Sequence, residues 1–167
     1  MHSEPMLVRK PEMPLAGLSI STSFNGGRSQ QDIPPFFHKV IDESMLADIP
    51  YRINKNHLCV FKLRDHSPDF DYIVAVEVSR VDSLPEDWTV LVLAERDYAA
   101  LEFEKTGHGS VADAFRRIHE EWLPGSEYRA APKPAFVYYD EKFFEVFNSK
   151  GYDGQPVATA HVPVVRK

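Results

Sequence analysis

At 167 residues the chain has room for one domain, or for two small halves sharing a core, and 43% hydrophobic with 26% charged residues calls for a packed globule rather than a disordered chain. A formal net charge of −6 argues against a phosphate-neutralising nucleic-acid surface and is easier to reconcile with a cationic partner. The single cysteine excludes an intramolecular disulfide and a multi-cysteine zinc cage, and no apolar run approaches the ~18 residues of a membrane span.

Met1 to Pro5 has no apolar signal core, so a cytoplasmic protein is expected. The first strand is expected at Leu15 to Phe24, and Asn25 to Gln31, with two glycines, reads as a loop. Asp32-Ile33-Pro34-Pro35 reads as a helix start, because a first-turn N–H needs no intrahelical acceptor. From Phe36 to Ala47 the residues Phe37, Val40, Ile41 and Met45 recur at helical spacing, and Ile49-Pro50 ends the segment. Strand-like runs follow at His57 to Arg64 and Asp71 to Ser79, joined by turn residues Asp65, Ser67, Pro68 and Asp69. Cys59, inside the first run, reads as buried and inert.

Beyond the polar linker Val81 to Asp87, strands are expected at Trp88 to Glu95 and Tyr98 to Lys105, with a break at Gly107 to Gly109. Ser110 and Asp113 form a weak capping pair for a helix whose Val111, Phe115, Ile118 and Trp122 share one face. Arg116, Arg117 and Glu120 lie on the opposite face, and Leu123-Pro124-Gly125 ends the helix. The last strands are Phe136 to Asp140 and Val157 to Val165, with Glu141 to Gln155 as a loop between them.

The order is β-α-β-β twice, over about 13–79 and 88–166 of a single domain spanning 1–167. This predicts an α+β fold of duplicated β-α-β-β units with pseudo-two-fold symmetry. An antiparallel sheet would carry the two main helices on one face, with a central ligand cleft on the other face or at the seam.

Alternation along the Glu77 strand puts Tyr72, Val74, Val76 and Val78 on one face, expected to pack on the helices, and Ile73, Ala75 and Glu77 on the other. A strand carboxylate on a partly apolar face is either solvated or, if buried, needs a cation or donors. Eleven Phe, seven Tyr and two Trp are enough to line a pocket as well as fill a core, and aromatic faces around a carboxylate suit a hydrophobic cation. For each aromatic taken alone, core packing is the competing reading. The histidines show no metal-ligand spacing, so no metal and no cofactor are expected. The Gly-x-Ser around His108 lacks the rest of a nucleophile elbow, and no catalytic residue is assigned.

Several segments together resemble a known family. Asp71-Tyr72-Ile73-Val74-Ala75-Val76-Glu77-Val78 resembles a recurring Tyr-Asp-Tyr-x-x-Gly-x-Glu-Val strand, and Glu121-Trp122-Leu123-Pro124 a recurring helix end. Ile33-Pro34, Ile49-Pro50, Arg96-Asp97-Tyr98-Ala99 and Ala160-His161-Val162-Pro163-Val164 match further segments in the same order over residues 13–166. The chain thus resembles the GyrI-like, AraC-type effector-binding domains, in particular those carried on integron cassettes.

The resemblance implies a small-molecule ligand, amphipathic and often a hydrophobic cation. Many relatives are fused to DNA-binding modules, for which this chain has no room outside the domain; with its charge and its lack of long apolar runs, no direct nucleic-acid or membrane binding is expected, and a separate regulator protein is left open as a further partner. It makes Glu77 the pocket carboxylate, with Ile73 and Ala75 on its strand, and puts Phe36 or Phe37 where relatives carry a Trp. Tyr98 and Trp122 match recurring family aromatics, and Tyr51, Phe61, Phe136 and His161 complete the expected ligand-binding set. Ala75 replaces a usual glycine, Thr159 stands where a Glu is common, and His161 replaces an aromatic. Two other functions are compatible with the same family: hydrolysis of reactive natural products with Glu77 as general base, and a gyrase-inhibitor-like protein-interaction module.

Overall fold

The computed structural model describes residues 4–105, 108–143 and 157–167. Most of the expected Glu141 to Gln155 loop, and Gly107 at the expected break, lie outside the described residues. In chain order the elements are β1 (Met6–Lys10), β2 (Met13–Ser23), α1 (Arg28–Asp42), β3 (His57–Leu63), β4 (Asp69–Glu77) and β5 (Thr89–Leu93), then β6 (Arg96–Glu104), α2 (His108–Arg116), β7 (Tyr128–Ala130), β8 (Ala135–Tyr139) and β9 (Val157–Arg166).

Two compact units divide the chain. The first is Glu12–Ala94. Its strands lie in the order β5-β2-β4-β3, all antiparallel, with α1 leaving β2 and packing back against it. The second combines β1 with the chain from Glu95 onward. Its strands lie in the order β1-β6-β9-β8, also antiparallel, with α2 packed on β6 and β9 and with β7 paired to the C-terminal end of β9. The β-α-β-β order is thus repeated. β2 and β6 are equivalent, as are α1 and α2, β3 and β8, and β4 and β9. The edge strand comes from opposite ends: β5 follows the first unit, whereas β1 precedes both.

The helix-facing layer of the first unit follows the expected alternation. Val74, Val76 and Tyr72 are buried, and the Tyr72 ring meets Phe36 of α1 edge-on. Ile33, Phe37 and Val40 form the buried stripe of α1, and Cys59 is buried as expected. In the second unit Ala114 and Ile118 are buried, as are Leu101, Ala160 and Val162 of β6 and β9.

Three local expectations are corrected. Helix α1 starts at Arg28, after Gly27 in the left-handed region (φ 70°), and runs through Pro34 and Pro35 instead of beginning there. Its buried stripe starts at Ile33, the Asp32 carboxylate accepts a 2.8 Å bond from Thr22 Oγ1, and the carbonyls left without a donor belong to exposed Gln30 and Gln31. Helix α2 starts at His108, so Ser110 lies inside it, and Asp113 instead pairs with Arg116 at 2.8 Å. After Arg116 the helix widens into a π turn, Arg117–Trp122, whose register shift leaves Ile118 and Leu123 buried while Trp122 is only half-buried. Strands β1 and β7 were not expected: both are short, and basic residues interrupt any alternation. No helix among the described residues is long and apolar enough to cross a membrane.

Candidate functional site

Partners across an antiparallel ladder share a face. In the first unit the face away from α1 therefore carries Ile73 with Val60 and Ser19, Ala75 with Leu58 and Gly17, and Glu77 with Leu15. Leu15, Leu58, Val60 and Ala75 are fully buried, and Glu77 is half-buried at the end of the row.

The loop before β3 folds back along that strand end. Ser79 N–H donates to the Tyr51 carbonyl (2.9 Å), Arg52 bridges Val78, and Ile53 N–H donates to the Glu77 carbonyl (3.1 Å). This brings the Asn54 Nδ2 amide onto Glu77 Oε2. The orientation of Asn54 is set by its other end, where Oδ1 accepts the Asn56 backbone N–H at 3.0 Å. Arg52 Nε donates to the Asn54 carbonyl at 2.8 Å. Among the described residues no cation forms an ion pair with Glu77. Burial lowers the pKa of Arg52 below the usual guanidinium value. His57, next along the chain, is held down at about 4, chiefly by burial and then by the Arg52 charge.

The equivalent face of the second unit is aromatic. Phe136 and His161 are cross-strand partners and stack with centroids 4.4 Å apart, and Tyr98 meets Phe136 edge-on at 5.1 Å and His161 at 5.8 Å. His161 is 2% exposed and its pKa falls to about 3, because burial penalises the imidazolium and the Lys10 charge adds to this. It is therefore neutral. Its Nδ1–H donates to the Thr159 carbonyl (3.1 Å), which leaves Nε2 as an acceptor. The Lys10 ammonium lies over the Tyr138 ring, 5.4 Å from its centroid.

The Tyr98 hydroxyl is buried and has no hydrogen-bond partner among the described residues, and burial raises its pKa. Tyr98→Phe removes a buried group that already lacks a partner. It is expected to leave stability unchanged or to raise it by up to about 1 kcal/mol in urea unfolding. A loss above about 2 kcal/mol would mean that the hydroxyl is bonded after all.

The eleven expected ligand-binding residues fall into separate groups. Glu77, Ala75 and Ile73 share one face, and Tyr98, Phe136 and His161 form one cluster. Phe36 and Phe61 contact Tyr72 on the helix-facing side, away from Glu77, and Phe37 is buried in the same layer. Tyr51 is exposed, with φ 66° and the Arg80 guanidinium 4.9 Å from its ring centroid. Trp122 stacks on Tyr128, apart from the Tyr98 cluster. Sequence reasoning missed Asn54 and Arg52. The signal for Asn54 was the Asn-x-Asn spacing to Asn56, which suits a side chain capping a backbone N–H two residues on. Among the described residues no three His, Cys, Asp or Glu side chains converge as a metal set.

The fold resembles solved structures over nearly its full length. SAV2435 bound to tetraphenylphosphonium superposes with a TM-score of 0.74 at 18% identity, over 97% of this chain and 94% of that one. The EcmrR C-terminal domain gives 0.67 at 10% identity, over 100% of both chains. The integron cassette protein VCH_CASS2 from the mobile metagenome of Vibrio cholerae gives 0.62 at 12%, over 98% of both. Comparison with curated protein sequences gives no significant match. A family model of integron-associated effector-binding proteins matches residues 6–158. The repeated β-α-β-β units and that match make the chain a member of the integron-associated effector-binding protein family.

Proposed function

We propose that the effector is an amphipathic organic cation and that Glu77 is its counter-ion. The observation that carries this reading is a half-buried carboxylate, beside fully buried aliphatic side chains, that is met by a neutral amide rather than by a cation. A carboxylate held in this way is oriented for a partner, and a charge pair formed there is stronger than one in open water. The tetraphenylphosphonium held by SAV2435, an apolar cation on a similar fold, supports the same ligand class. The net charge of −6 favours its approach. The likeness to EcmrR, which is seen in complex with DNA and of whose chain this one covers 59%, supports a regulatory use in which a separate protein reads the loaded state. That part fails if a capture experiment with loaded chain recovers no protein that the empty chain leaves behind.

Glu77→Gln keeps the shape and the hydrogen-bonding reach of the side chain but removes its charge. Isothermal titration with tetraphenylphosphonium is expected to show affinity reduced at least about tenfold, roughly 1.4 kcal/mol. Equal affinity in the two proteins would remove Glu77 from the site.

A further inference from the structure

We infer that Asn54 is the positioning residue that keeps Glu77 both oriented and unneutralised, and so sets the preference of the site for cations. The inference rests on the reading of Glu77 as counter-ion.

Asn54 is held at three points. Its Oδ1 accepts the Asn56 N–H at 3.0 Å, its backbone carbonyl accepts Arg52 Nε at 2.8 Å, and the preceding residue bonds the Glu77 carbonyl at 3.1 Å. With Oδ1 committed to a backbone donor, only Nδ2 can face the carboxylate; a flipped amide would set oxygen against oxygen and NH₂ against N–H. Asn54 therefore donates to one Glu77 oxygen, Oε2, and the other accepts no bond from the described residues.

The chemistry of that donor matters. A Lys or Arg at position 54 would complete an internal ion pair, and an incoming cation would have to break it. A carboxamide fixes the direction of the carboxylate and leaves its formal charge in place. The same residue also occupies the guanidinium of its own loop: Arg52, two positions away and half-buried, directs Nε to the Asn54 carbonyl and forms no ion pair with Glu77 among the described residues. One loop segment thus supplies Glu77 with a neutral donor and holds a cation off it.

The test is a double-mutant cycle read with two probes, tetraphenylphosphonium and the neutral, similarly bulky triphenylphosphine oxide, by isothermal titration. Asn54→Ala is expected to weaken the cation about three- to tenfold and to leave the neutral probe unchanged. In a Glu77→Gln background the same change is expected to do nothing further, because the amide acts only through the carboxylate. Asn54→Lys keeps a donor towards Glu77 and is expected to cost the cation as much as Glu77→Gln does; it carries the test should Asn54→Ala fail to fold. Equal losses for both probes, or a full Asn54→Ala effect in the Glu77→Gln background, would reduce Asn54 to a structural role and overturn the inference. Cation affinity indifferent to Glu77→Gln itself would instead overturn the counter-ion reading.

Discussion

Gly17→Ala is expected to destabilise the protein by at least about 3 kcal/mol, read as a fall of roughly 6–12 °C in Tm for a chain of this size. A Cβ at Gly17 would lie 2.0 Å from the Val74 carbonyl oxygen and 2.6 Å from the Ala75 Cα. Both are backbone atoms, so no side-chain rotation relieves the clash. Strand β2 has little room to retreat, because Leu15–Gly17 pair with β4 on one side and β5 on the other. The residue that must shift is the strand carrying Ala75 and Glu77, so the stability loss is expected to come with weaker tetraphenylphosphonium binding. Glycine inside a strand is ordinarily a weakness, and here it is what a close backbone approach requires. Gly109→Ala is the control: its Cβ meets nothing within 4 Å, it lies in α2, and the change is expected to be neutral or stabilising by up to about 1 kcal/mol. A Tm for Gly17→Ala within about 2 °C of wild type would contradict the account.

How far the site could be read from the sequence depended on which quantity was local. Alternation is local, and it separated Val74 and Val76 from Ala75 and Glu77 correctly, because a strand has no freedom in which side successive residues face. Register between strands is not local. Phe61 was expected in one ligand-binding set with Glu77; β3 pairs so that Phe61 stands opposite Tyr72 and therefore on the helix side, and a slip of one residue would have reversed this. The pairing of Asn54 with Glu77 was invisible for the same reason. Its partner lies 23 positions on and is reached only because Arg52 bridges Val78. The prolines of α1 misled in the opposite direction. A missing N–H is a local cost, and the tertiary gain from burying Ile33, Phe37 and Val40 outweighed it. The aromatic group Tyr98, Phe136 and His161 was legible as residues but not as a cluster, since nothing in the chain order announces that Phe136 stands opposite His161.

Acidification from pH 7 to pH 5 is expected to cost the fold about 4 kcal/mol through two histidines alone. Burial depresses His161 to about 3 and His57 to about 4, against an ordinary value of 6.5. Between those limits the unfolded chain takes up a proton at each position and the folded chain does not. Unfolding therefore binds protons, and the stability that is complete above about 6.5 is lost as the pH falls towards the folded values. At pH 5 each group has contributed about 2 kcal/mol of the loss. His119, lowered by partial burial, acts in the same direction. Ordinary carboxylates titrate below this window, near 4, so a slope measured between pH 5 and 6.5 belongs mainly to imidazoles. His161→Phe tests the assignment, because a phenyl ring can keep the stack on Phe136 while removing the titration. It gives up the bond to the Thr159 carbonyl, so its stability at pH 7 is expected to be lower by about 1 kcal/mol. Its loss between pH 7 and 5 should be about half that of wild type, bringing the two proteins level near pH 5.5 and leaving the variant the more stable below it. Parallel pH curves for the two would mean that His161 protonates in the fold as readily as in the unfolded chain, and that the aromatic face of the second unit is open to water.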